Sequence, residues 1–222
     1  MPTPMRQAIA RHMTYSKQNI PHYYLTMRPD IGATLQHREE WNAAHPKDEA
    51  VSINDLVVKA TALALQAHPE FNGYYQHDEF QHQERINIGI AIAMPEGLVA
   101  PAILDCQSLS LVEIGRHSRD LAARAREKTL RAEEYTAATF TITNLGMYHV
   151  DSFQAIIVPP QVGILAVGGI TQEPIWRDER MMVGQFVALT LSGDHRATDG
   201  AEGARFLGEI VSCLQNPTSL FA

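Results

Sequence analysis

Residues 186–215 read FVALTLSGDHRATDGAEGARFLGEIVSCLQ. The opening six, 186–191, are short, apolar and free of charge, as in a buried strand. From Asp199-Gly200 onward, Ala204, Phe206, Leu207, Ile210, Val211 and Leu214 recur every three to four residues, the spacing of one helix face. Between strand and helix stands the polar loop 192–200, SGDHRATDG. The end of an element is where a rigid backbone can present a side chain to a pocket, so this loop is the first place to look for chemistry.

Working back from the loop, residues 155–158, 163–168 and 140–143 read as further core strands. Asn144-Leu145-Gly146 follows as a turn in which Asn or Gly adopts positive φ. Residues 87–94 (NIGIAIAM) form one uncharged, β-branched strand, and 98–103 a second one after the turn at Glu96-Gly97. Short strands at 71–75 and 80–82 flank a turn at 77–79. Besides a helix over 31–43, three amphipathic helices are predicted before the last one. The first spans 5–17, with Thr3 as cap and Pro4 at its first position; the second spans 53–65, with Ser52 and Asp55 as a capping pair; the third spans 109–126. A strand over 22–28 and a helix over 31–43 lie between the first two. The arginines of 109–126 read as a solvated face with intrahelical pairs rather than as a binding site. Strands and helices mix without strict βαβ periodicity. The predicted fold class is therefore α+β, one domain over 1–222 with a mixed sheet packed by helices.

Composition narrows the function classes. A hydrophobic fraction of 45% and a charged fraction of 19% are those of a globular chain. The net charge of −7 argues against nucleic acid as partner, while leaving room for a local pocket for one anionic ligand. Cys106 and Cys213 have no metal-site or disulfide spacing and read as reduced thiols of an intracellular protein. No apolar run is long enough to span a membrane, and no signal-peptide pattern opens the chain, which predicts a soluble cytoplasmic protein.

By residue type, His195 is suited to moving a proton near neutral pH, although a His beside an Asp also caps helices and steadies turns. Asp194 and Asp199 make no metal set without ligands from elsewhere, so no metal is expected. Neither a GxGxxG, a GxxxxGK[ST] nor a GxSxG pattern occurs, and Ser192 reads as structural.

Several segments together resemble one family. RQAIARHM (6–13), Ile20-Pro21-His22, residues 51–64, 87–101, 139–147 and 156–168, and DHRATDG (194–200) are similar to the catalytic core of the dihydrolipoyl acyltransferase (E2) component of 2-oxo acid dehydrogenase complexes. That family has a chloramphenicol acetyltransferase-like, two-layer fold. The glycine at 193, where the family usually has a larger residue, departs from the pattern.

The resemblance implies reversible transfer of an acyl group between dihydrolipoamide and coenzyme A. His195 would be general base, Thr143 of TFTITNLG the oxyanion donor, and Asp199 an organiser that pairs with a basic group and fixes the loop, with N-capping of the last helix as the alternative reading, compatible with the first. It points for coenzyme A, as substrate, to Thr14, Gln107, Asn144, Met147, Gly168 and Ile170. NLGM (144–147) and PPQ (159–161) favour acetyl, as in the E2 of pyruvate dehydrogenase. It further implies a homotrimer, with 24-mer or 60-mer cores built from trimers. Partners would be a lipoyl domain and the other subunits of the complex, with Leu220-Phe221 as an apolar knob between trimers; packing within the subunit and a frayed end are the alternatives for that pair. Lipoyl and peripheral-subunit-binding domains are absent from these residues, and the start at Met1-Pro2-Thr3-Pro4 favours an excised core over a free-standing paralogue. The competing readings are an acyltransferase for another small acceptor and a non-catalytic assembly core.

Overall fold

The computed structural model describes residues 3–95, 97–177 and 179–221. In chain order the elements are α1 (Pro4–Asn19), β1 (His22–Met27), α2 (Gly32–Ala44), α3 (Ile53–Ala67), β2 (Gly73–Gln76), β3 (Glu79–His82), β4 (Ile88–Ile90), β5 (Ile92–Met94), β6 (Gly97–Val99), β7 (Ala102–Ile103), α4 (Leu111–Glu127), α5 (Ala132–Thr136), β8 (Phe140–Asn144), β9 (Gly163–Arg177), β10 (Arg180–Asp194), α6 (Gly200–Gln215) and α7 (Pro217–Leu220). Six strands form the main sheet in the order β1-β10-β9-β8-β4-β7. β8 runs parallel to both β4 and β9, and the other pairs are antiparallel. This is the mixed sheet that the sequence predicts.

Alternation along the strands creates two faces. Phe140 and Ile142 of β8, Leu165 and Val167 of β9, and Leu189 and Leu191 of β10 join the main core with residues of α3 and α6. The ring of Phe206 stacks on Phe71 at 4.3 Å and meets Phe140 edge-on at 5.5 Å, tying α6 to the sheet. The opposite face carries Thr141, Thr143, Ile164 and Ala166. Ile20, Ala155 and Ile157 cover part of it in a second, smaller cluster.

The helix starts agree with their sequence signals. Thr3 accepts from the Arg6 amide, and Ser52 and Asp55 form a capping box on α3, worth roughly 1 kcal/mol for such a cap. Three arginines of α4 have structural partners, only one of them within the helix: Arg116 meets Asp48 and Glu49, Arg119 donates to the carbonyls of Asp48 and Ala50, and Arg124 pairs with Asp120 of its own helix and with Glu134.

Four expectations need correction. The run 87–94 is two strands, not one: it leaves the main sheet after Ile90, and β5 pairs instead with β6 in a separate ribbon. Residues 98–103 divide likewise, because Pro101 has no amide to continue a ladder. Glu96 of the turn between them lies outside the described residues. Residues 155–158 make no strand, since side chains take over their backbone groups. Ser192 Oγ donates to the Ala155 carbonyl at 2.7 Å, Ser16 Oγ to that of Ile157 at 2.6 Å, and the Ile157 amide donates to His22 Nε2 at 3.0 Å. Burial lowers the His22 pKa, in keeping with a neutral ring whose Nδ1–H faces the Ile20 carbonyl. In the turn after β8 the left-handed residue is His149 rather than Asn144 or Gly146. Gly146 is required for space, because a Cβ there would lie 2.7 Å from the Gly168 carbonyl oxygen.

The C-terminal segment also differs. Leu220 is fully buried in the subunit's own core, and Phe221 packs on His37 and Trp41 at 4.6 and 5.2 Å. Within the subunit the alternative of intramolecular packing describes the pair, and Leu220 is not free to serve as a knob. Trp41 itself stacks on His45 at 3.7 Å. The second tryptophan, Trp176, is 73% exposed on the outer part of the β9–β10 hairpin beside Met181 and Val183. Among the described residues no helix is long and apolar enough to cross a membrane.

Candidate active site

The loop between β10 and α6 is fixed from both ends. The amide of Asp194 donates to the Val162 carbonyl and that of His195 to the Pro21 carbonyl, at 2.9 and 3.0 Å. Asp194 has a completely buried side chain, and its carboxylate takes Arg196 in a two-pronged pair with contacts of 2.7 and 3.0 Å. The Arg196 guanidinium in turn lies 4.4 Å over the Tyr75 ring. A buried carboxylate needs a partner with good geometry, and Arg196 supplies it. His195, next in sequence, is left exposed, with the Tyr23 ring against it at 5.4 Å and 72°.

Asp199 is the N-cap of α6. Its Oδ1 accepts from the amides of Ala201 and Glu202 at 2.8 and 2.9 Å, and Glu202 returns the bond to the Asp199 amide. The Glu202 and Ala201 amides hold its carboxyl below the usual carboxylate range, with Arg205 and His195 adding to the effect. Of the two roles expected for Asp199, the described residues show the backbone cap and no ion pair with a basic side chain. The loop's ion pair belongs to Asp194, because that carboxylate is the one cut off from water.

Thr143 lies on the sheet face away from the main core. It lines a cavity of about 630 Å³ with His12, Met13, Thr141, Phe153 and Gln161. Thr141 donates to Gln161 Oε1 at 2.7 Å, and the Gln161 backbone is held by the Val158 carbonyl at 3.0 Å. Thr143 and His195 do not meet within one subunit. Thr143 is in register with Ala166, Ala166 with Thr190, and His195 follows five residues later. At about 3.3 Å per residue and about 4.8 Å between strands, the two backbones stand roughly 15–20 Å apart. A hydroxyl and an imidazole so separated cannot act on one carbonyl.

The six residues expected at coenzyme A are partly gathered. Asn144, Met147, Gly168 and Ile170 share the end of β8 and the adjoining stretch of β9, where Met147 is 73% exposed. Gly168 has no alternative there, since a Cβ would lie 2.0 Å from the Asp151 carbonyl oxygen. Asn144 Oδ1 accepts from the Gly146 amide at 2.8 Å, and its Nδ2 reaches Asn54 at the start of α3. Gln107 sits in the 106–108 turn against α3, its Oε1 accepting from the Ile86 amide at 3.0 Å. Thr14 stands apart on the exposed side of α1. Among the described residues there is no cluster of three or more His, Cys, Asp or Glu able to hold a metal.

Residue-by-residue reading missed Tyr23, the Asp194–Arg196 pair and the Thr141–Gln161 pair. The threonines at 139, 141 and 143 alternate as one strand face must, and that signal singles out Thr141 beside Thr143.

The chain matches the family model of 2-oxoacid dehydrogenases acyltransferase (catalytic domain) over residues 2–222. It is 39% identical over 219 residues to the mitochondrial dihydrolipoyllysine-residue acetyltransferase component of the pyruvate dehydrogenase complex of Schizosaccharomyces pombe, covering 97% of this chain and 45% of that relative. The chain spans about half the length of the curated relatives it matches. Among solved structures it is similar to the Azotobacter vinelandii dihydrolipoamide acetyltransferase, with a TM-score of 0.94 and 29% identity, covering 100% of this chain and 93% of that one. In that enzyme a serine, a histidine and an asparagine have been investigated for catalytic roles. The serine lies 52 residues before the histidine and the asparagine four after it. The cubic core of the pyruvate dehydrogenase multienzyme complex is similar to the same degree, at 0.94 and 28%, covering 100% of this chain and 93% of that one. Chloramphenicol acetyltransferase, at 0.55 and 13% over 92% of this chain and 94% of its own, shares the fold alone.

Proposed function

The chain belongs to the 2-oxoacid dehydrogenase acyltransferase (catalytic domain) family, and from that premise we propose that it transfers an acyl group, acetyl first, between dihydrolipoamide and coenzyme A. The observation that carries the reading is one of spacing. Thr143 precedes His195 by 52 residues and Asp199 follows it by four, the intervals of the serine, histidine and asparagine in the Azotobacter enzyme. A hydroxyl, an imidazole and a polar side chain recur at those three places.

In this reading His195 takes the proton of the attacking thiol as its sulfur bonds to the thioester carbonyl carbon. The carbonyl π electrons move onto oxygen, and the Thr143 hydroxyl donates to that oxyanion. When the tetrahedral intermediate collapses, the oxyanion electrons re-form the carbonyl, the carbon–sulfur bond of the original thioester breaks, and the departing thiolate takes the proton from the imidazolium. No covalent enzyme intermediate is required, because a thioester is already activated and the task is to orient two thiol-bearing arms. Asp199 contributes by fixing the start of α6, and hence the exit of the His195 loop. Asn144, Met147, Gly168 and Ile170 are proposed for coenzyme A, with Gln107 and Thr14 as outer contacts. The lipoyl arm comes from a domain outside these residues.

The separation of Thr143 from His195 supports a site completed between two copies, with His195 of one facing Thr143 of the next. A trimer is the smallest closed assembly proposed, and likeness to the cubic core favours larger particles made from it. The test is an acyl-transfer assay with acetyl-CoA and free dihydrolipoamide, run beside succinyl and branched acyl thioesters. His195→Ala is expected to lose most of the turnover while keeping its melting profile and solution mass. Parent-like turnover in that variant removes the base assignment. Preference for an amine or alcohol over dihydrolipoamide replaces the acceptor.

A further inference from the structure

Tyr23 is seated in a slot made for it. It stands directly opposite Gly193 in the β1–β10 ladder. A Cβ on Gly193 would lie 2.3 Å from Tyr23 Cζ, and a Cβ on Gly203 of α6 would lie 2.7 Å from its hydroxyl oxygen. Close-packed interiors do not hold contacts that short, so two glycines on two different elements are kept open by one aromatic ring. Those elements, β10 and α6, are the ones that bracket the DHRATDG loop.

From this slot Tyr23 reaches the loop twice. Its hydroxyl is 2.9 Å from Thr198 Oγ1, and its ring meets the His195 imidazole at 5.4 Å in a T-shaped arrangement. Burial pushes the phenol up to about 12, so it keeps its proton at neutral pH. Among the described residues no hydrogen bond fixes either imidazole nitrogen of His195. The backbone of His195 is pinned through the Pro21 carbonyl, but the rotation of its ring is narrowed by the Tyr23 contact.

We propose that Tyr23 is a positioning residue for acyl transfer: its ring, seated in the space left by Gly193 and Gly203, holds the His195 imidazole in the orientation from which it takes the thiol proton. The proposal rests on the reading of His195 as base. It also gives Gly193 a physical reason, since any larger residue there would evict the ring. A misdirected base loses turnover rather than substrate binding, because the thiol still arrives but the proton transfer is out of line.

The experiment compares the parent with His195→Ala, Tyr23→Phe, Tyr23→Leu, Gly193→Ala and the Tyr23→Leu/Gly193→Ala pair, each checked for melting temperature and solution mass. Steady-state rates are taken with acetyl-CoA and dihydrolipoamide. Tyr23→Phe keeps the ring and is expected within about threefold of the parent kcat. Tyr23→Leu keeps apolar bulk but loses the ring contact, and its kcat is expected to fall about 10–100-fold with KM for acetyl-CoA within about twofold. Gly193→Ala should fall similarly, because its methyl displaces the ring. The double variant should match Tyr23→Leu rather than multiply the two losses, since the methyl then has nothing to displace. Parent-like kcat in Tyr23→Leu beside an inactive His195→Ala overturns the positioning role and leaves the base intact. A loss confined to KM, or losses that multiply, overturns it too. If Tyr23→Leu does not fold, an unchanged kcat in Gly193→Ala overturns it. An active His195→Ala removes the base reading and this proposal together.

Discussion

At position 143 a single hydroxyl faces a largely apolar cavity. Its neighbour on the same strand face, Thr141, has its hydroxyl engaged with Gln161, which leaves Thr143 as the strand's open donor. Removing one oxyanion donor costs about 10²–10³ in turnover, so Thr143→Ala is expected to lose that much with little change in affinity for coenzyme A. Thr143→Ser should retain much of the rate, and rapid single-turnover measurements on the two variants check it. Equal losses would assign the threonine methyl a packing role instead. His195, Thr143 and Asp199 stand out as candidates in the sequence because each sits in a motif. Which of its two readings Asp199 follows was not legible. An aspartate four residues after a histidine can pair with a base or cap a helix, and only the three-dimensional course of the loop decides that Asp194 takes Arg196 while Asp199 takes amides. Tyr23 was illegible for a related reason. Its partners come from residues 193, 198 and 203, and no local pattern in HYYLTM announces them.

Among the elements, helices were read more securely than strands. A cap and a periodic apolar face are local properties, and Ser52, Ser110 and Asp199 all begin helices with capping boxes. A strand is defined by its neighbour. The uncharged run 87–94 conceals a transfer between two sheets, and 155–158 has strand composition without a strand partner. The junction of α4 and α5 offers a pH test at this scale. Glu134 has a side chain only 2% exposed, gripped by Arg124 through two contacts of 2.7 Å and by Arg131. The bonds from Arg124, followed by those from Arg131, hold its carboxyl down at about 2. A folded pKa below the unfolded one means that the unfolded chain takes up the proton first as pH falls. The stabilisation is therefore complete above about 4.3 and is lost on descent towards the folded value. Both arginines keep some exposure, so Glu134→Gln is expected to cost about 1–3 kcal/mol at pH 7. Denaturation curves of parent and variant should converge as pH drops below about 4. A gap unchanged at that pH would mean that the carboxylate charge is not what stabilises the junction.

For the whole molecule, the proposed site between copies makes a prediction of its own. With Thr143 and His195 on different parts of one subunit, a site shared by neighbours must obey mixing rules. Thr143→Ala and His195→Ala subunits, denatured together and reassembled at equal amounts, should recover activity that neither has alone. In a closed ring with one site per junction, roughly a quarter of the sites would unite an intact His195 with an intact Thr143. Activity that stays at the mean of the two separate variants would put both residues to work within one chain. The α+β class and mixed sheet were legible from element order, whereas assembly left no trace in composition or periodicity. The hydrophobic end of the chain illustrates the difficulty: Leu220-Phe221 has the character of an exposed docking element, yet Leu220 completes the subunit's own core and Phe221 leans on Trp41. That last contact equips the molecule with an optical division of labour. Trp41, half-buried and in contact with His45 and Phe221, is placed to report the docking of the C-terminal segment, whereas Trp176 stands in water and answers to whatever approaches the hairpin. An aqueous quencher such as iodide silences the second indole first, so fluorescence can follow the tail and the hairpin as separate signals in the unlabelled protein.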